Sequence, residues 1–242
     1  MAARVFFLFA LGYFLSYFYR SANAVLAKDL SQELGLGPAE LGFMTSLFYL
    51  AFAAAQLPLG GLLDRVGPRA VTPALLLVAA LGSVVFGLAQ SFAVLALGRA
   101  LIGVGMAAAL MGSMRAFSLW FPRNYATVST LLVGLGATGG LMAATPLALL
   151  KEALGWRGVF LLGAFVVALV ALALYLGVRN TPPGVAWPGG QRGDGLGEVF
   201  RNGRLLRVAF LAFAFAGEFG SLSRLIHSTC SDARQRASQI SR

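Results

Sequence analysis

The apolar positions of this chain neither alternate nor form narrow stripes. They come in long runs. Six stand out, at 5–26, 41–63, 71–89, 92–117, 126–150 and 159–178. About 20 mainly apolar residues is the length of a helix that crosses a bilayer. Strands alternating between two environments would not give continuous runs, so the runs predict helices. The breaks between them, at 28–40, 64–70, 90–91, 120–125 and 151–157, are short and hold most of the charge. The pattern predicts an all-α integral membrane protein, with a six-transmembrane-helix bundle over 1–178. Residues 179–204 are rich in Gly, Pro and Arg and read as a linker. A seventh apolar run begins at Leu205, is interrupted by Arg207 and Glu218, and fails at Arg224. Residues 205–242 are therefore expected to be a partial seventh span with a polar tail, a span whose continuation is missing.

Composition supports lipid as the solvent. Hydrophobic residues make up 58% of the 242 and charged residues 12%, against roughly 45–50% and 25% in soluble domains. The 19 Lys and Arg outnumber the 9 Asp and Glu. In a soluble protein that excess would raise nucleic-acid binding. Here the basic residues stand isolated between apolar runs and act as topology signals. With the N-terminus inside, Arg4, Arg65, Arg69, Arg123, Arg179, Arg192, Arg201, Arg204 and Arg207 are internal, and only Lys28, Lys151 and Arg157 are external. That bias predicts a multi-pass protein of the plasma (inner) membrane, with N-terminus and linker in the cytoplasm. Ala22-Asn23-Ala24 imitates a signal-peptide cleavage site, but the preceding stretch is long, aromatic and carries Arg20, which favours a retained span. One cysteine (Cys230) and one histidine (His227) leave no disulfide framework and little scope for a metal. No cofactor is expected.

The most specific local pattern lies between the second and third runs: Gly60-Gly61-Leu62-Leu63-Asp64-Arg65-Val66-Gly67-Pro68-Arg69. Gly60 permits close helix packing, Gly67 permits a tight turn, and Asp64 sits where a carboxylate suits the dipole of the third helix. Read from the residues alone, this is also what an ordinary cytoplasmic turn with positive-inside arginines looks like.

G-x-L-x-D-R-x-G-x-R after a second span resembles the signature loop of the major facilitator superfamily. Arg99, Gly103 and Gly105 resemble that family's R-x-x-x-G-x-G in the fourth span. Trp120-Phe121-Pro122 resembles the W-F-P that closes it, and Gly155-Trp156-Arg157 with Phe160 resembles the G-W-R-x-x-F that opens the sixth. The match covers 5–178 in order. The fifth span departs from the G-P-x-x-G-G of many drug antiporters, having Gly134, Gly136, Gly139, Gly140 and Pro146. The resemblance implies half of a twelve-helix fold. It also implies that Asp64, Arg65 and Arg69 latch the inner helix ends and help switch between open states, and that the first and fourth helices line a central cavity.

The residues speak to that cavity independently. A charge inside a bilayer is a functional hypothesis by default. The spans hold three: Arg20, Arg99 and Arg115. At 100° per residue, Tyr13, Ser16, Tyr17, Arg20 and Asn23 fall within about 120° of one another, a polar stripe on an apolar helix. Counting 1.5 Å per residue, Arg20 and Arg99 lie about 9 and 10 Å from the outer ends of their spans, at matching depth. Arg20, Tyr13, Tyr17, Asn23 and Arg99 are thus candidate substrate contacts. Snorkelling is the alternative for Arg20, and helix packing or proton coupling for Arg99. Arg115 reads as an interfacial anchor. Gly103, Gly105, Gly134, Gly136, Gly139 and Gly140 are candidate helix-packing positions. No acid precedes Asp64 in the spans. Three cations without an anion favour an anionic substrate, and the lack of paired carboxylates or a nucleophile–base pair argues against an enzyme.

The reading is therefore secondary active transport of a small solute, such as an organic anion, by alternating access. One half supplies half a cavity, so the chain is expected to be a shortened product or a half that pairs with a second six-helix half or a second copy of itself. A non-transporting assembly or regulatory protein on the same half-fold is the alternative.

Overall fold

The computed structural model describes residues 1–187, apart from the surroundings of Asn23, Ala24, 139–146 and Ala148. The predicted partial seventh span and most of the predicted linker lie outside the described residues. So do the sites expected at Asn23, Gly139 and Gly140.

The described residues are helical almost throughout and contain no strand. α1 runs from Ala2 to Leu34, eight residues past the predicted end of the first span. The apolar criterion stops at the membrane; the helix does not. Leu26 and Leu30 continue one buried face, and the helix ends only at Gly35, whose left-handed φ of 66° suits glycine. α2 (Pro38–Val66) starts with proline at its first position, and the Glu40 carboxylate accepts the Gly37 amide at 2.8 Å. α3 spans Pro68–Gly87. The predicted fourth span is two helices, α4 (Phe92–Met106) and α5 (Ala108–Trp120), parted only at Ala107, whose amide reaches back three residues to Val104. Gly103 and Gly105 lie immediately before that break, where glycine weakens a helix.

α6 (Tyr125–Gly177) holds two arms, 125–154 and 156–177, joined at Gly155 with φ 68° and ψ 167°. The predicted loop at 151–157 is thus helical apart from one glycine. The chain turns back there. Lys151 and Arg157 both meet the far end of α1, while Gly177 lies against Arg4 and Leu8 at its near end. Among the described residues five helical stretches are long and apolar enough to cross a membrane: Ala2–Ala22, Pro38–Val66, Pro68–Gly87, Phe92–Trp120 and Leu149–Gly177. Tyr125–Thr138 adds a shorter apolar helix.

α1 packs chiefly on α6, α3 on α4 and α6, and α2 on α4. Small residues set the closest approaches. A Cβ on Gly82 would lie 2.7 Å from the Ile102 amide nitrogen, and one on Gly98 would lie 2.8 Å from that of Phe86. The α3 and α4 backbones therefore touch. Gly103 abuts the Phe48 carbonyl of α2 and Gly105 abuts Ala79 of α3, so the two glycines open two faces of α4. Gly60 and Gly134 have open space beside them. Only 17% of the most apolar part of α2 is buried.

Candidate functional site

Two polar layers matter, one at mid-depth and one at the basic end of the bundle. At mid-depth α1 carries two consecutive residues with opposite duties. Tyr19 turns into the bundle. Its carbonyl accepts Arg99 Nη1 at 3.2 Å, and its hydroxyl shares a hydrogen bond of 2.9 Å with Ser83 of α3. Arg99 is 1% exposed. Its guanidinium carbon lies 5.8, 5.4 and 6.0 Å from the ring centroids of Phe48, Phe86 and Phe160. Three elements besides α1 thus supply π-faces to a cation that has a carbonyl for its polar partner and whose buried Nε has none.

Arg20 turns the other way. It is half-buried. Its guanidinium carbon lies 5.0 Å from the Tyr17 centroid and 4.6 Å from that of Phe52. Nε is buried without a hydrogen-bond partner, and among the described residues Arg20 makes no ion pair. Tyr13 and Tyr17 stack edge to face at 5.1 Å, with hydroxyls 3.5 Å apart. Both rings lie against Gly136 of α6, where any side chain would collide with them. The α1 stripe is therefore two structures. Tyr13, Tyr17 and Arg20 form a continuous aromatic–cationic ladder, while Ser16 is fully buried with no hydrogen-bond partner.

The basic end carries the corner between α2 and α3. Gly67 adopts φ 95°, ψ 158° there. Asp64 pairs with Arg115 at 3.1 Å. This corrects the expectation that all three cations of the spans lack an anion. Counted on its own helix, Arg115 points away from Arg99 toward the end of the bundle. Only the fold brings α2 close enough to supply the carboxylate. Arg69 reaches α6, donating from Nε to the Tyr175 carbonyl at 3.2 Å. Among the described contacts, Arg65 makes no ion pair.

The opposite end is fastened by matched charges. Lys151 pairs with Asp29 at 2.9 Å. Glu33 accepts from both Arg157 and the Trp156 indole, and Arg157 also donates to the Ala89 carbonyl at 3.1 Å. Asp29 and Glu33 are one turn apart on α1, and Lys151 and Arg157 flank Gly155. None of these acids was singled out from the sequence; their i, i+4 spacing was the available signal. Tyr19, Phe52 and Asn180 were missed too, because their partners lie on other helices.

A family model described as the Major Facilitator Superfamily matches residues 9–229. A probable L-galactonate transporter of Escherichia coli K12 is 30% identical over 167 residues, which is 69% of this chain and 37% of that protein. A probable sulfoacetate transporter of Cupriavidus necator is 32% identical over 156 residues, 63% of this chain and 36% of that one. This chain thus aligns with little more than a third of these relatives' length. The crystal structure of a bacterial homologue of the human lysosomal transporter Spinster, inward-facing and unoccupied, superposes with a TM-score of 0.69 at 23% identity, covering 83% of this chain and 48% of that one.

Proposed function

Since the chain belongs to the major facilitator superfamily, we propose that it is one six-helix half of a secondary transporter for small organic anions, working by alternating access. Transport, rather than catalysis, is what the membership supports. One observation carries the substrate class: Arg20, half-buried and stacked on Tyr17 and Phe52, keeps its positive charge without an ion pair among the described residues. A guanidinium is planar, permanently charged and shaped for an oxyanion. The relatives' named solutes, galactonate and sulfoacetate, are anions, which supports the same reading. Tyr13 and Tyr17 bring hydroxyls toward the site, and Gly136 lets them stand there. Arg99 supports the α1 segment behind Arg20 instead of touching solute.

The little-buried face of α2 and the open side of the first α6 arm at Gly134 are where a second six-helix half would pack, enclosing the site. The basic end then faces the cytoplasm, with Asp64, Arg65, Arg69 and Arg115 as the inner latch. Single cysteines at 35 and 190, in a Cys230→Ala background, test that orientation: outside labelling of 190 in intact cells would reverse it.

Uptake of labelled galactonate and sulfoacetate tests the function. Vesicles would hold the chain alone, or the chain co-expressed with the second half of the L-galactonate relative. Uptake that disappears in Arg20→Gln while the variant still inserts supports the anion site. Undiminished uptake in Arg20→Gln removes it. Uptake in neither preparation favours the non-transporting reading.

A further inference from the structure

α3 begins without a cap of its own. Its N-cap is Gly67, which has no side chain to accept a free amide, and Pro68 at the next position has no N–H. The first amide that needs an acceptor is that of Arg69. It finds one 111 residues along the chain, donating to Asn180 Oδ1 at 2.9 Å. Asn180 Nδ2 donates to the Val66 carbonyl at 3.3 Å, at the last residue of α2. One side-chain amide thus spans the Gly67 corner, bonded on both sides of it. The corner is shaped to admit it: a Cβ on residue 67 would fall 2.5 Å from Asn180 Nδ2.

Asn180 lies three residues beyond the end of α6. The same short segment makes two more contacts with the basic end. The Trp120 indole donates to the Arg179 carbonyl at 3.1 Å. The Trp187 ring lies 5.7 Å from the guanidinium of Arg115, the partner of Asp64.

We propose that Asn180 is a positioning residue of the inner latch. It caps α3 from the exit of α6 and holds the 64–69 corner in the shape that presents Asp64 to Arg115. The role assigned to the corner rests on the latch reading above; the cap itself does not. The two hydrogen bonds are solvent-exposed, so their loss loosens the corner without unfolding the bundle. Any movement of the α6 exit relative to α3 must break them, which ties the segment after α6 to the state of the latch.

Hydrogen exchange on the full chain in lipid nanodiscs reads the cap directly, at the Arg69 amide. Asn180→Ala should speed its exchange roughly tenfold, as expected for one lost hydrogen bond, and leave the α3 interior and thermal unfolding unchanged. Asn180→Asp keeps an acceptor for Arg69 and loses the donor to Val66, so it should retain most of the protection. Unchanged Arg69 exchange in Asn180→Ala would overturn the cap. Galactonate uptake by the co-expressed halves then reads its consequence. Asn180→Ala should lower turnover at unchanged KM, and Asn180→Asp should recover part of it. Faster exchange with full turnover would overturn the positioning role, provided Asp64→Asn slows uptake. If Asp64→Asn also left uptake intact, it would be the latch reading that had failed, with the cap standing.

Discussion

Arg20 and Arg99 meet at the same level of the bundle, since Arg99 bonds the carbonyl of the residue just before Arg20. Their surroundings are opposite. Arg99 is sealed among three phenylalanines from α2, α3 and α6. Arg20 rests on two rings at the edge of the packed core and stays half-buried, while Nε lacks a partner in both arginines. Burying an ion is expensive unless it is compensated. At Arg99 the compensation is built in, from one carbonyl and several ring faces. At Arg20 two ring faces and partial exposure take its place. Two identical side chains at one depth can therefore serve as a rivet and as a docking point, and what separates them is whether the fold seals the guanidinium in or leaves it room to meet a solute.

That contrast can be broken. The largest effect is expected for Arg99→Ala, which leaves a cavity between α1, α3 and α6 and should cost about 3–5 kcal/mol, as other large-to-small core changes do; thermal unfolding in detergent would register it. Arg99→Met fills most of the volume without the charge. It should be at least as stable as the parent and bind galactonate equally well. A loss of anion binding in Arg99→Met as severe as in Arg20→Gln would merge the two arginines into one site. Next comes Arg20→Gln itself, with anion affinity falling by about 2–5 kcal/mol, the range for truncating one member of a buried charged pair. Its thermal midpoint should not fall, which direct binding and unfolding measurements on one sample would separate. Ser83→Ala sharpens the contrast more gently. It strands the Tyr19 hydroxyl and should destabilise by about 1–2 kcal/mol, leaving binding at Arg20 untouched. The smallest effect belongs to Asp64→Asn. Asp64 lies in the last turn of α2, so the dipole expected to favour it does not, and the exposed pair with Arg115 is worth about 1 kcal/mol or less. Insertion and unfolding should scarcely change while uptake slows; uptake at the parent rate would leave Asp64 a topology signal.

Much of this arrangement is legible in the linear chain, for identifiable reasons. Long apolar runs mark the helices because lipid leaves the backbone few alternatives. The shared depth of Arg20 and Arg99 follows from counting 1.5 Å per residue. What could not be read is what needs a second helix. Nothing in the string says that Tyr19 would offer its carbonyl to Arg99, or that Ser16 of the same polar stripe would be buried while Arg20 was not. Arg115 looks like an anchor until α2 brings Asp64 beside it. α1 outruns its predicted end because hydropathy reports the membrane boundary, whereas helix termination is decided by Gly35. Asn180 reads as part of a linker. Only its distance from Val66 and Arg69 shows that it belongs to the corner of α3.

The pairing of α1 with α6 has a consequence for how the protein is made. The contacts that hold the far end of α1 join residues 122 and 124 positions apart, and the Asn180 cap closes a span of 111. At roughly 5–20 residues per second, α1 leaves the ribosome on the order of ten seconds before Lys151 and the second arm of α6 exist. Through that interval Tyr19 lacks its α6 neighbours Phe160 and Gly163. Arg99 enters the bilayer before Phe160 is there to cover it, a state that insertion scales place about 2.5–3.5 kcal/mol uphill for an arginine at mid-helix. α1 is synthesised well before the residues that fasten it. Nascent chains stalled before Gly155 should therefore bind membrane insertases and chaperones for longer than chains stalled after Asn180.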